Sequence, residues 1–115
     1  MPYTLIHHTG CGSSKKGLAL LQAHGVEPEV RKYMNKTEML SEDELRDIAK
    51  KMGASSPRDF LRSKDAVKLG LADTASDDDV YAAMATDPRL IQRPIGINGG
   101  KAALGRPNEK LLEII

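Results

Sequence analysis

Three observations predict a mixed α/β domain built as β-α-β, a helical block, and then β-β-α. A strand–helix–strand pattern opens the chain, helix-capping signals punctuate residues 41 to 86, and an Asn-Gly-Gly turn separates two apolar runs near the end. All 115 residues are read as one domain, with the block at about 41–86 as an insertion in it.

The first strand is expected at Tyr3–Ile6, short and largely buried. Ser13 or Ser14 then caps a helix through Leu18, Leu20 and Leu21 to about His24, with Gly25 as its stop. A second strand is expected within Val26–Tyr33, centred on Val30–Tyr33. With a right-handed crossover these three elements form a parallel βαβ unit.

In the middle block, Ser41 and Glu44 form a capping-box pattern ahead of Leu45, Ile48, Ala49 and Met52, and Gly53 ends that helix. Ser56-Pro57 opens a short helix through Phe60 and Leu61, and Asp65–Leu69 is expected to add a turn or two before Gly70. Ser76 and Asp79 start a helix through Val80, Ala83 and Met84, which Pro88 ends. Strands are expected at Pro94–Ile97 and Lys101–Leu104, and Asn108 is expected to cap a terminal helix carrying Leu111, Leu112, Ile114 and Ile115.

Composition excludes several function classes. Seventeen basic residues nearly cancel sixteen acidic ones, so no nucleic-acid surface or anionic-membrane partner is expected. No apolar run approaches the length of a membrane span, and the start of the chain lacks the pattern of a signal peptide. The single cysteine permits no internal disulfide, and a cytoplasmic location is expected. Three histidines and one cysteine do not show zinc-finger spacing, so no metal is expected.

The one cysteine, Cys11, lies in Thr9-Gly10-Cys11-Gly12-Ser13-Ser14, where a strand gives way to a helix. Helix N–H groups and the positive dipole end favour a thiolate there and form a pocket for a small oxyanion. A buried, inert thiol is the competing reading. Any redox cycle at Cys11 must finish with a thiol from outside the chain.

An oxyanion at Cys11 calls for arginine, whose planar fork makes paired hydrogen bonds. Of seven arginines, Arg31, Arg46, Arg58 and Arg89 read as solvated surface charges. Arg93 and Arg106 each precede a proline and flank the predicted hairpin, and Arg62 ends a short helix. An Arg-Pro pair at a strand entry is also a plausible cis peptide. One of His7 and His8 should face Cys11, since side chains alternate along a strand, and an imidazolium there lowers the thiol pKa. A cysteine-phosphatase loop would need arginine six residues after the cysteine; this chain has Gly17 there.

Several segments together carry a resemblance: His7-His8-Thr9-Gly10-Cys11-Gly12-Ser13-Ser14, Phe60-Leu61-Arg62, Ile91-Gln92-Arg93-Pro94-Ile95 and Gly105-Arg106-Pro107, with Gly25-Val26-Glu27-Pro28 and Leu69-Gly70-Leu71-Ala72. Over nearly its whole length the chain resembles the glutaredoxin-coupled arsenate reductases, which have a thioredoxin/glutaredoxin-like fold with a helical insertion. The resemblance implies that Cys11 is the nucleophile and that His7 favours its thiolate. It implies that Arg62, Arg93 and Arg106, with the N–H groups of Gly12, Ser13 and Ser14, surround the oxyanion, and that Pro94 is a structural cis-proline. Arsenate would be reduced to arsenite through a Cys11 thioarsenate, with glutathione as co-substrate, glutaredoxin as partner and no tightly bound cofactor.

Thr9-Gly10 and Lys15 depart from the family pattern, in which many members carry arginine at the position of Lys15. Lys15 keeps the charge without the fork. Two alternatives stand beside this reading. One is a glutathione-dependent thiol/disulfide reductase of the same fold, which needs no three-arginine clamp. The other is a transcription regulator that binds RNA polymerase and uses a Cys-x-x-Cys switch; Ser14 in place of the second cysteine removes that switch.

Overall fold

The computed structural model describes residues 2–115. Four strands form one mixed sheet in the order β2-β1-β3-β4, with β1 at Tyr3–Ile6, β2 at Glu29–Arg31, β3 at Ile95–Asn98 and β4 at Lys101–Leu104. β1 runs parallel to β2 and antiparallel to β3, and β3 runs antiparallel to β4. Helix α1, Gly12–Ala23, is the crossover from β1 to β2. The helices α2 (Glu42–Met52), α3 (Ser63–Lys68) and α4 (Asp77–Thr86) fill the middle, together with a 3₁₀ turn at Pro57–Phe60. This is a thioredoxin-like α/β arrangement carrying a helical insertion.

Alternation along β1 divides the core into two layers. Tyr3 and Leu5 point toward α1 and the chain's end, where they pack with Leu21, Leu111 and Ile114. Ile6 points to the opposite face and joins the larger cluster of Tyr33, Leu45, Phe60, Met84, Ile91 and Ile95 beneath the helical block.

The capping signals act as their chemistry dictates. At α2 the Glu44 N–H donates to Ser41 Oγ, and the Ser41 N–H donates to Glu44 Oε1, both at 3.1 Å. Gly53 ends α2 in the left-handed region at φ 72°, a conformation that costs glycine little. At α4 Ser76 Oγ accepts from the Asp79 N–H at 3.1 Å.

Several expectations are corrected. Neither Ser13 nor Ser14 caps α1; the N-cap is Cys11 itself, with extended φ −103° and ψ 122°. β2 ends at Arg31, and Tyr33 belongs to the core beyond it. The chain closes in a 3₁₀ helix at Asn108–Ile114, and Asn108 is not its cap. The Asn108 amide instead donates to the Ser13 and Gly105 carbonyls, at 3.1 and 3.0 Å.

Two of the arginines read as solvated surface charges are structural. Arg31 donates to the carbonyls of Glu38 and Met39 and forms a forked pair with Glu44. Arg58 donates to the carbonyls of Ala72 and Ala75. Loop carbonyls without helix or sheet partners draw these cations inward. Arg46 pairs with Asp78 and lies 4.4 Å from the Tyr81 ring centre, and Arg89 pairs with Asp87.

Candidate active site

Strand register gathers the site. Ile6 pairs with Arg31 on one side and Ile95 on the other, and Ile95 pairs with Leu104. His7 and His8, Lys32 and Tyr33, Arg93 and Pro94, and Arg106 therefore leave the sheet at one end. A separate antiparallel bridge, Leu61 to Ile91, draws in the insertion: the Arg62 N–H donates to the Leu90 carbonyl at 2.8 Å, and the Gln92 N–H to the Phe60 carbonyl at 2.9 Å. Both the Arg93–Pro94 and the Arg106–Pro107 peptides are cis.

Cys11 is half-buried at the head of α1. Its N–H donates to the His8 carbonyl at 3.0 Å, and its carbonyl accepts from Lys15. Burial pushes the thiol pKa up, but the Ser14 N–H, the Arg93 guanidinium and the Ser13 N–H together outweigh it. The net shift is downward, toward thiolate. The fully buried Ser14 hydroxyl accepts from the His8 N–H at 3.1 Å and so ties the loop back onto the helix.

Arg93 is the arginine beside the sulfur. Its guanidinium also faces the buried Tyr33 hydroxyl, which donates to the Ile91 carbonyl at 3.0 Å. Arg93 Nε is buried with no hydrogen-bond partner among the described residues. A buried, charged donor left open in this way marks a place for an acceptor. Arg62 acts electrostatically on His8 and Tyr33, and its Nε donates to Asp65 Oδ2 at 2.6 Å. Exposed Arg106 donates from Nε to the Arg93 carbonyl at 3.0 Å. Thus Arg93 lies at the sulfur, whereas Arg62 and Arg106 line an adjoining cleft.

Both histidines next to the turn have lowered pKa values. Burial first, and then the positive charges of His8, Lys32 and Lys15, lower the His7 pKa; its Nδ1 is buried without a partner. His8 is lowered by burial and then by Arg93 and Arg62. Both shifts disfavour an imidazolium beside the sulfur, where the Arg93 guanidinium supplies positive charge. Sequence reasoning missed Tyr33 and Asp65. The one signal for Asp65 was its place three residues after Arg62, on the same helical face.

Two close contacts hold the parts together. A Cβ at Gly17 would come within 2.9 Å of Pro94 Cγ and of Leu111 Cδ1, and a Cβ at Gly105 would come equally close to Pro94. The position that holds arginine in a phosphatase loop is here a packing contact. It seats α1 against the residue that follows Arg93.

Comparison with known proteins agrees with this architecture. The ArsC family matches residues 6–114. A Haemophilus influenzae protein named arsenate reductase is 38% identical over 100% of both chains. The uncharacterised protein YfgD of Escherichia coli strain K12 is 39% identical over 96% of this chain and 94% of its own length. The structure of an arsenate reductase from Vibrio cholerae, 36% identical, matches 100% of this chain and 98% of its own with a TM-score of 0.87. With the Cys11 turn, the Arg62, Arg93 and Arg106 segments and the sheet order in place, this chain belongs to the ArsC family.

Proposed function

We propose that this protein reduces arsenate to arsenite, with Cys11 as nucleophile and external thiols as the source of electrons. The observation that carries the reading is the pairing of a helix-capping thiol of lowered pKa with an arginine whose buried Nε has no partner. Such a pair suits a nucleophile meeting a small oxyanion. Relatives of similar length named arsenate reductase support the substrate.

Arsenate docks against Arg93 and the first N–H groups of α1, at Gly12, Ser13 and Ser14. The Cys11 thiolate attacks arsenic, an arsenate oxygen leaves as water, and a sulfur–arsenic bond forms. His7 is buried four residues before Cys11, with its N–H donating to the Arg31 carbonyl at 2.9 Å. With one cysteine in the chain, the adduct must be resolved from outside: a glutathione thiolate attacks Cys11 Sγ, the sulfur–arsenic bond breaks with its electron pair on arsenic, which leaves as arsenic(III), and glutaredoxin reduces the Cys11–glutathione disulfide that remains. The oxyanion-directed Arg93 favours this reading over general thiol/disulfide reduction, which has no anion to stabilise at that point.

The test follows NADPH consumption with glutathione, glutaredoxin and glutathione reductase. Adding arsenate should raise the rate, and Cys11→Ser should abolish the rise while leaving the circular dichroism spectrum unchanged. A rate independent of arsenate would overturn the proposal.

A further inference from the structure

A cation that stabilises developing charge must be held in place before the anion arrives. Arg93 has a long, flexible side chain, and its buried Nε finds no hydrogen-bond partner among the described residues. What faces its guanidinium is the hydroxyl of Tyr33, a side chain with no exposed surface. The charged and titratable groups that act on that hydroxyl are Arg93, Arg62 and Cys11.

Tyr33 lies just beyond β2, where its N–H donates to the Arg31 carbonyl at 3.0 Å. Its hydroxyl crosses to the segment that carries Arg93 and donates to the Ile91 carbonyl at 3.0 Å. The bridge between Leu61 and Ile91 leaves that carbonyl open. It is closed by the flanking residues, with the Arg62 N–H on the Leu90 carbonyl and the Gln92 N–H on the Phe60 carbonyl. In an antiparallel pair of this kind the central residue turns its own carbonyl away from the partner strand. The segment ahead of Arg93 is thus clamped from both sides, by the helical insertion on one and by Tyr33 on the other. The same hydrogen bond decides what Tyr33 offers to Arg93. A hydroxyl has one proton, and this one is committed to Ile91, so only the oxygen lone pairs remain. Lone pairs suit a guanidinium, which has donors and no acceptor.

We propose that Tyr33 is a positioning residue of the active site: its hydroxyl pins the Ile91 carbonyl, turns its lone pairs to Arg93 and so holds the guanidinium at Cys11. Tyr33 acts through Arg93. Its effect on arsenate rests on the reductase reading above, and its effect on the sulfur does not.

Tyr33→Phe keeps the ring and removes the hydroxyl. Alkylation of Cys11 followed against pH needs no arsenate. Its inflection should rise in Tyr33→Phe, as in Arg93→Ala, and the double variant should rise no further than Arg93→Ala alone. Turnover should follow, with kcat/KM for arsenate about tenfold lower, the scale of one hydrogen bond to a charged group. A ring that only fills space would lower Tm in Tyr33→Phe and leave the inflection in place, and that result overturns the proposal. So do shifts that add in the double variant. Should Tyr33→Phe fail to fold, a chain that keeps Tyr33 gives the answer. With carbon-13 at tyrosine Cζ, the Tyr33 signal is assigned by elimination, using Tyr3→Phe and Tyr81→Phe. It should move in Arg93→Lys, and a signal that stays in place overturns the proposal. If the inflection moves as expected but arsenate never stimulates turnover, Tyr33 keeps its role at the sulfur and the arsenate reading fails.

Discussion

Cys11 gathers opposing influences at one sulfur. Burial disfavours its thiolate, while the Ser14 N–H, Arg93 and the Ser13 N–H favour it and prevail. Alkylation of Cys11 followed against pH should therefore inflect below the free-thiol value of about 8.5. Reactivity rises with pH through the lowered pKa, because the thiolate is the reacting form. Arg93→Ala should move that inflection upward. It should also lower kcat/KM for arsenate by roughly 2–4 kcal/mol of transition-state stabilisation, the range for one preorganised oxyanion donor. Lysine at Arg93 should restore only part of this, since it keeps the charge and loses the fork. An unmoved inflection in Arg93→Ala would show that the helix terminus alone sets the thiol.

Among elements, α2 is the one whose ends are most fully specified locally, with a reciprocal capping box at Ser41 and a left-handed glycine at its close. Ser41→Ala should destabilise the protein by about 1 kcal/mol, read from urea unfolding midpoints with an unchanged slope. Where the expected signals were local, they were legible: β1, β4, the Ser41 cap and the Asn98-Gly99-Gly100 turn depend on neighbours within a few residues. Where tertiary contacts compete, they were not. The closing segment has the apolar residues of a helix, yet tightens to 3₁₀ with the Asn108 amide drawn to Ser13. Arg31 looked solvated because its partners lie seven to thirteen residues away. Alternation predicts that one of His7 and His8 faces Cys11, but the lowered pKa of both follows from burial first and then from neighbouring cations, among them Lys32, Arg93 and Arg62 from other elements.

At the scale of the molecule, burial of these imidazoles links stability to pH. The folded-state pKa values of His7 and His8 lie below the ordinary 6.5, so the unfolded chain binds more protons in the interval below that value. Stability is full above 6.5 and is lost as pH falls through the lowered folded values. Thermal melts should show a lower Tm at about pH 5 than at about pH 7.5, above the range where most carboxylates titrate. His7→Gln, which cannot gain a proton, should shrink that difference, and an undiminished drop would place the acid sensitivity elsewhere. Among the described residues no helix is long and apolar enough to cross a membrane.

The contact of Gly17 with Pro94 has a consequence beyond packing. Gly17 stands six residues along from Cys11, and Pro94 adjoins Arg93, so this contact sets how far apart nucleophile and cation are held. It works as a spacer of zero thickness. Adding one methyl group at Gly17 would wedge α1 away from β3 and widen the gap an anion must bridge. The spacing between Cys11 and Arg93 is thus tied to the meeting of Gly17 and Pro94.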